Sequence, residues 1–386
     1  MTKFDWKLTI RSNILKLKIA GLWPEGNDTY KFDLYALWAI ISIGLFVYGH
    51  NFFQAINIVF IFPDLQAIVA TTFVTIPAML TILKTYYVIQ NMGLLKQLMI
   101  TLNSDLFQPK NARQINLVTP SLRFWTINNA LYWIMASGAI FFWTTFPILD
   151  KSVKEHRLPF LAWYPFNEKK SPFYEITYVY QIVSISFIAM TTLSIDTLIA
   201  ALNMYIAAQF DILCDDLRNL RNVTDALSAD FNVRLINCVN HHKEILRFAE
   251  DSNKFFNWIV FLQFFISAIS IGITMFQLTM VDPLSSEFFS LLSFGLAITV
   301  EIFIYCWFGN EVEIKSSRIP YAAFESDWVE MSIDVKKNML FFIMRCQRPC
   351  KMSALNLFYL SLETFMTILR TAWSYFALLH QVSSRK

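Results

Sequence analysis

The chain has 386 residues, of which 55% are hydrophobic and only 16% are charged, whereas ordinary globular chains carry about 25% charged residues. This composition excludes a disordered chain, and a net charge of +3 without any run of lysine and arginine excludes a nucleic-acid-binding surface. Five cysteines cannot all pair with one another, and nine glycines leave little material for phosphate-binding loops. A disulfide-rich secreted domain and a nucleotide-binding enzyme are therefore excluded as well.

Seven stretches of the chain are long and apolar enough to cross a bilayer as helices, which takes about 20 residues. Four of them contain no Asp, Glu, Lys or Arg: residues 34–63, 65–83, 124–149 and 255–281. The other three contain internal charges: residues 176–210, 288–310 and 352–380. Proline beside aspartate at 63–64 and 282–283 predicts tight turns after spans one and five. The sequence therefore predicts an all-α integral membrane protein with seven transmembrane helices.

Lysine and arginine fall mainly on one side of these spans. The segments on the side of the N-terminus, residues 1–31, 84–123, 211–254 and 315–351, contain 24 of them, and the segments on the opposite side contain seven. Cytoplasmic segments of membrane proteins accumulate these residues. The N-terminus is therefore predicted to be cytoplasmic.

Four ionisable residues lie inside predicted spans: Asp196, Glu301, Glu363 and Arg370. Each costs about 3 kcal/mol on insertion scales, so each is a candidate for a functional role. Glu363 and Arg370 are seven residues apart on one helix face, where they either pair, line a hydrated vestibule or brace helix ends. Asp196 is expected to find polar partners on neighbouring helices.

The C-terminal third contains short motifs in a fixed order. FGNE occupies residues 308–311, Trp328 precedes a basic amphipathic stretch, and the last span contains SLETF at 361–365 and TAWSYF at 371–376. This order and spacing resembles the signature region of insect odorant receptors. The resemblance implies a ligand-gated, non-selective cation channel with seven helices and an intracellular N-terminus, in the plasma membrane of olfactory neuron dendrites. It also implies a heterotetramer with co-receptor subunits that is embedded in membrane lipid. In this heterotetramer the chain binds a small volatile organic ligand.

A pocket for such a ligand requires an apolar cavity with a few polar groups. In the third span Met135, Gly138 and Phe142 stand at i, i+3 and i+7 on one helix face, where glycine leaves room and phenylalanine supplies a wall. The resemblance places the ligand against this face, in the extracellular half of the helices. Residues at similar depth on the second, fourth and sixth spans complete the predicted pocket: Phe73, Ile76, Tyr178, Gln181, Ile182, Ile185, Phe289 and Leu292. For each of them the alternative is simple packing or lipid contact.

The resemblance also places the outer part of the seventh helix around the ion path. Leu378 and Val382 stand at i and i+4 there, with Gln381 beside them. Apolar side chains can close a pore by excluding water, and an amide can replace part of an ion's hydration when the pore opens. The alternative for these residues is packing between helices at the extracellular end.

Four regions follow: a cytoplasmic N-terminal segment (1–31), six helices with the pocket (32–310), a cytoplasmic anchor segment (311–351) and a pore-lining seventh helix with an extracellular C-terminus (352–386). Apolar residues at a helical period extend the fourth span through residues 197–221 and predict a further helix at 327–346. In the resembled family such extensions hold the subunits together. The alternative is a basic amphipathic helix that lies on anionic lipid.

Other functions have less support in the sequence. His241 and His242 point about 100° apart on a helix, so their adjacency does not indicate a shared metal ion. They are predicted to be solvated, and no metal site or cofactor is predicted. No serine, cysteine or threonine has a recognisable base partner, so no enzymatic activity is predicted. A metabotropic seven-helix receptor would need its N-terminus outside, and a transporter with inverted repeats would need paired glycine or proline breaks in its two halves. A gustatory-type channel, which shares the fold, is the nearest alternative.

Overall fold

The computed structural model describes residues 4–26, 33–61, 65–149, 152–221 and 228–384, and these residues are mostly helical. Their α-helices are α1 (Lys7–Ile19), α2 (Leu34–Ile41), α3 (His50–Ile61), α4 (Leu65–Gln90), α5 (Met92–Leu102), α6 (Ala112–Leu149), α7 (Phe173–Arg218), α8 (Ser228–Leu278), α9 (Ser286–Ser317), α10 (Ile319–Phe324), α11 (Ile333–Cys346) and α12 (Leu362–Ser384). A π-helical segment, Ser42–Gly49, joins α2 to α3, and short 3₁₀ turns occupy Asp105–Phe107 and Ser152–Glu155. Two short strands, β1 (Ser353–Ala354) and β2 (Phe358–Tyr359), pair antiparallel.

Five helical stretches among the described residues are long and apolar enough to cross a membrane: Leu34–Ile61, Ala112–Leu149, Phe173–Arg218, Phe231–Leu278 and Glu287–Phe324. They stand at the first, third, fourth, fifth and sixth predicted spans. Helix α4, with 26 residues, stands at the second, and α12, with 23 residues, at the seventh. The turn predicted at Pro63-Asp64 lies outside the described residues.

Several helices continue well beyond the predicted spans. Helix α7 has 46 residues and α8 has 51, so each is about 70 Å long or more, twice the roughly 30 Å thickness of a bilayer's hydrocarbon core. The second half of α7 packs with α1, α8 and α10 into a bundle with fully buried aromatic side chains. Among these aromatic residues are Trp6, Tyr205, Phe210, Phe248 and Phe256. The extension predicted at 197–221 is thus a continuous helix to Arg218.

The N-terminal segment is fixed to this inner bundle by buried hydrogen bonds. The Tyr205 hydroxyl donates to the Trp6 carbonyl at 2.9 Å, and the Asn13 amide donates to the Thr197 hydroxyl at 2.6 Å. The Lys16 ammonium lies 3.5 Å from the centre of the Trp133 ring, a cation–π contact. Helix α1 is therefore part of the helical core formed with α7, although its sequence shows no long apolar run.

Two segments differ from the sequence-based expectation. Residues 352–361 form the β1–β2 hairpin, and the last helix begins at Leu362, because Leu355 and Asn356 adopt positive φ values of 53° and 57° that a helix cannot contain. The hairpin packs closely on α9: a Cβ atom at Gly309 would lie 2.3 Å from Leu360 Cβ. Helix α11 begins at Ile333, so Trp328, at the start of the predicted helix, lies before it.

The prediction that His241 and His242 are solvated is wrong. Their side chains are buried, since this part of α8 packs between α7 and α11. His241 Nε2 is 3.0 Å from the Gln209 side-chain oxygen, and the His242 ring packs edge-on against Phe342. Burial lowers the pKa of His241 to about 3 and that of His242 to about 4, so both are neutral in the folded protein.

Candidate functional site

A cavity of about 140 Å³ lies between α4, α6, α7 and α9. Its lining comprises Val74, Pro77, Ala78 and Thr81 of α4, Tyr132, Ala136, Ala139, Ile140 and Trp143 of α6, Ile185, Ile188, Ala189, Thr192 and Leu193 of α7, Phe294, Ala297, Ile298 and Glu301 of α9, and Phe160. An apolar cavity of about 150 Å³ in a protein core stays dry and binds benzene. This cavity is thus large enough for a small organic molecule.

The sequence makes this space by placing alanines where four helices meet. Ala78, Ala136, Ala139, Ala189 and Ala297 all line the cavity, at least one from each helix. A methyl side chain fills less volume than the isoleucines and leucines elsewhere on the same helices. Aliphatic side chains and four aromatic rings form most of the remaining wall and give the cavity a largely apolar surface.

One end of the cavity is covered by the segment between α6 and α7. The ring of Phe160 lies 5.8 Å from the ring of Trp143, and both line the cavity. Gln181 of α7 fixes this cover: its amide nitrogen donates to the Phe160 carbonyl at 2.9 Å, and its oxygen accepts from the Phe160 N–H at 3.0 Å. The same amide nitrogen also donates to the Tyr164 hydroxyl at 3.2 Å. A fully buried glutamine therefore satisfies the backbone of the covering segment.

The opposite end of the cavity is polar. The hydroxyls of Thr81 and Thr192 are 2.7 Å apart across the α4–α7 contact, and both residues line the cavity together with Tyr132 and Glu301. Each threonine lies about one helical turn from a buried charge, since Lys84 follows Thr81 by three residues and Asp196 follows Thr192 by four. The cavity thus has an apolar covered end and a hydroxyl-rich end next to buried ionisable side chains.

Beneath the polar end, three buried charges from three helices meet. The Lys84 ammonium of α4 donates to the Asp196 carboxylate of α7 at 2.6 Å and to the Glu301 carboxylate of α9 at 3.1 Å. The Tyr305 hydroxyl donates to Asp196 at 2.6 Å, and the Tyr132 hydroxyl lies 3.5 Å from the same carboxylate. The three charged side chains are 1 to 6% exposed. We call Lys84, Asp196 and Glu301 the buried charge cluster.

The cluster confirms that Asp196 finds polar partners on neighbouring helices, and it contains Lys84, which the sequence does not predict to lie there. Residue 84 directly follows the charge-free run 65–83, so it was assigned to a cytoplasmic connection. In the structure it is 1% exposed within α4, which continues to Gln90. The available signal was helical spacing: Thr81, Lys84 and Thr85 are polar residues within one turn and share a buried face.

The predicted ligand residues lie on the helices that form the cavity, and Ile185 lines it. On α4 and α6 the other predicted residues are offset by one position from the lining: Ile76 precedes Pro77, and Met135, Gly138 and Phe142 precede Ala136, Ala139 and Trp143. One residue turns a helix by about 100°, so these side chains point to an adjoining face. Phe73 precedes the lining residue Val74 in the same way, but its side chain lies outside the described part of the structure.

The remaining predicted ligand residues lie toward the covered end. Phe142 and Phe289 stack with ring centres 6.3 Å apart, and the Tyr178 hydroxyl donates to the Thr144 carbonyl at 2.6 Å. Ile182 is half-buried, and Leu292 is 37% exposed. The Gln181 side chain hydrogen-bonds the backbone of Phe160 in the covering segment, as described above. The contact of these residues with a ligand stays a prediction.

The predicted pore residues lie on an exposed face of α12. Leu378 is 59% exposed, Val382 is 46% exposed, and Gln381 is also exposed. Glu363 and Arg370, which could have formed an internal pair, are exposed on the same helix. Helix α12 packs its other face on α8 and α9.

The described residues offer no obvious metal site. Among them, no group of three or more His, Cys, Asp or Glu side chains is arranged to hold a metal ion. Within the buried charge cluster, the Lys84 ammonium occupies the position between the carboxylates that a cation would take. The arrangement suits a small organic ligand in an apolar cavity.

Comparison with known proteins assigns the fold and the family. A sequence model described as 7tm odorant receptor matches residues 64–373. The chain belongs to the odorant receptor family. Odorant receptor Or1 of Anopheles gambiae is 24% identical over 99% of this chain and 97% of its own length. Odorant receptor 10 of Aedes albopictus is 23% identical over 94% of this chain and 96% of its own length.

Solved structures show the same fold for this receptor. The insect olfactory receptor OR5 from Machilis hrabei, in complex with eugenol, superposes with a TM-score of 0.86 at 19% identity, over 98% of this chain and 100% of that one. A second structure of the same protein superposes with a TM-score of 0.83. The all-α membrane fold and the family predicted from the C-terminal motifs are thus confirmed.

Proposed function

We propose that this receptor is the odorant-binding subunit of a heteromeric, odorant-gated, non-selective cation channel. The observation that carries the proposal is the 140 Å³ cavity, which is apolar over most of its surface and has polar groups at one end. This is the character of a small-molecule site. A cavity of this kind in an odorant receptor fold, whose solved relative from Machilis hrabei binds eugenol, supports a volatile organic ligand.

The partners we propose are odorant receptor co-receptor subunits, in a heterotetramer in the plasma membrane of olfactory neuron dendrites. The support in this chain is the exposed face of α12, which carries large apolar residues such as Met366, Trp373 and Leu378. Exposed apolar surface in a membrane protein contacts either lipid or another subunit. Leu378, Gln381 and Val382 lie together at the C-terminal end of this exposed face, and we propose that this end faces the other subunits around the ion path.

The direct test is calcium imaging of cells that express this receptor with and without the co-receptor, against a panel of volatile compounds. We expect responses that need both chains. Ala189→Leu places a larger side chain in the cavity, so it should reduce ligand potency at normal surface expression, while Ala112→Leu, at the exposed start of α6, should not. Equal responses from both variants and the unmodified receptor would show that the ligand binds elsewhere.

The pore assignment has its own test. Gln381→Lys places a fixed positive charge beside the proposed ion path, and Coulomb repulsion at a few Å in partly hydrated surroundings is on the order of 1 to 4 kcal/mol. Calcium permeability and conductance should fall while ligand potency changes little. The control is Leu284→Lys, which adds the same charge at a 78% exposed position between α8 and α9. Unchanged unitary current in the Gln381 variant would move the pore to other residues.

A further inference from the structure

The cavity carries one carboxylate among its lining residues. Glu301 lines it at the polar end, and its side chain is 6% exposed, so bulk water does not solvate the charge. The neighbouring lining residues Thr81, Thr192 and Tyr132 add hydroxyl groups, which can accept as well as donate hydrogen bonds. This end of the cavity is therefore rich in acceptors.

The buried charge cluster is short of positive charge. Its two carboxylates, Asp196 and Glu301, share the single ammonium of Lys84. Lys84 lies closer to Asp196, at 2.6 Å, than to Glu301, at 3.1 Å. Asp196 also accepts from Tyr305 at 2.6 Å. Glu301 thus has the longer of the two contacts with the single ammonium, and it is the acidic residue that lines the cavity.

Buried charges are stable in proteins when they are paired and hydrogen-bonded. A second cation next to Glu301 would balance the cluster, and the cavity is the open space from which it can approach. An ammonium group brings one positive charge and three N–H donors. Glu301 and the hydroxyls of Thr81 and Thr192 provide acceptors for those donors at the same end of the cavity.

We propose that this cavity selects small primary amines, whose protonated head group pairs with Glu301 while the apolar body lies among the alanines and aromatic rings. The proposal rests on the proposed function, since it names the ligand class of the same cavity. The volume of about 140 Å³ limits the ligand to roughly the size of a substituted benzene ring. A neutral alcohol of the same shape donates one hydrogen bond to Glu301 but adds no positive charge to the cluster.

The test compares benzylamine, benzyl alcohol and toluene, which share a ring and differ at the head group, on cells that express the receptor with its co-receptor. We expect benzylamine to activate at concentrations at least ten-fold lower than benzyl alcohol, and toluene to be the weakest. Glu301→Gln keeps the shape of the side chain and removes its charge. It should bring the amine-to-alcohol potency ratio close to one by weakening benzylamine.

Two further measurements keep the outcome decisive. If Glu301→Gln does not reach the cell surface, the thermal midpoint of the purified unmodified receptor is measured with each compound, and benzylamine should raise it most. If other volatiles activate the receptor but benzylamine is no more potent than benzyl alcohol, or the ratio survives Glu301→Gln, the amine proposal is wrong and the proposed function stands. If no volatile activates the receptor at normal surface expression with the co-receptor, the proposed function fails and the amine proposal with it.

Discussion

Replacing Lys84 by methionine tests whether the buried charge cluster stabilises the fold. Methionine keeps the length and most of the volume of the side chain and removes the ammonium. Asp196 and Glu301, which lie 2.6 and 3.1 Å from that ammonium, would then be two buried carboxylates without a cation. Removing one partner of a buried ion pair costs about 3 to 5 kcal/mol, because the remaining charge stays buried and uncompensated. We expect Lys84→Met to be among the most destabilising single changes in the membrane-spanning helices.

The measurement is the thermal unfolding midpoint of the receptor purified in detergent, together with its surface level in cells. Lys254→Met is the matched control, since Lys254 pairs with Glu250 at 2.9 Å but both side chains are more than half exposed. Such an exposed i,i+4 pair contributes little to stability, because solvent screens the two charges. A triple variant that also carries Asp196→Asn and Glu301→Gln removes the unpaired charges and should recover part of the lost stability.

The reasoning is refuted if Lys84→Met unfolds at the same temperature as Lys254→Met and reaches the surface equally well. That result would mean that the two carboxylates do not depend on the ammonium in the folded receptor. A triple variant less stable than Lys84→Met alone would also contradict it, because the hydrogen bonds of the neutral groups rather than their charges would then carry the stability.

Three other substitutions test separately how packing, hydrogen bonding and protonation contribute to the stability of the receptor. Gly272→Ala should lower the unfolding midpoint, because its Cβ would lie 2.8 Å from a backbone carbonyl of α12. Gly138→Ala, whose Cβ would meet no atom outside its own turn of helix within 4 Å, should not lower it and should raise it slightly, because alanine is the better helix former. Gln181→Leu should cost about 1 to 3 kcal/mol, since it leaves the backbone N–H and carbonyl of Phe160 without partners; an unchanged midpoint would show that water replaces the amide. Burial lowers the pKa of His241 to about 3, against roughly 6.5 in an unfolded chain. The unfolded chain therefore takes up a proton below pH 6.5 that the folded receptor does not, and the free energy of unfolding should fall by about 1.4 kcal/mol per pH unit. His241→Gln should reduce this dependence of the unfolding midpoint on pH, measured from pH 7.5 to 5.

The sequence predicts the membrane helices well because their signal is local. A run of about 20 apolar residues indicates a membrane-crossing helix, since a helix satisfies the backbone hydrogen bonds of the run within the run itself. The ends of the helices are less predictable. Helix α7 continues as one helix to Arg218, as the apolar period through 197–221 indicates, but α12 begins ten residues later than the apolar composition of 352–361 suggests. Positive φ angles at Leu355 and Asn356 prevent the helix from starting earlier, and the apolar composition of this segment does not predict such angles.

The cavity shows a different limit of sequence reasoning. The resemblance, together with the space left by Gly138 and the wall supplied by Phe142, favours one face of α6, whereas the cavity lies against the alanines one position further along. Space in a helical bundle arises where side chains are small, so alanine-rich faces are the better signal for a cavity. Ala136 and Ala139, three residues apart on α6, carry that signal.

Lys84 shows why charge counting and site prediction can conflict. A lysine at the end of an apolar run looks like a cytoplasmic boundary when each helix is read alone. Its role depends on Asp196 and Glu301, which are 112 and 217 residues away in sequence, so the pairing is a property of helix packing. A buried lysine is tolerated only where carboxylates meet it, and two intramembrane carboxylates on other spans require a cation. Inside the predicted spans, three carboxylates (Asp196, Glu301 and Glu363) face only one cation, Arg370, and this imbalance indicates that a lysine or arginine at the end of a span, such as Lys84, is drawn into the helical bundle.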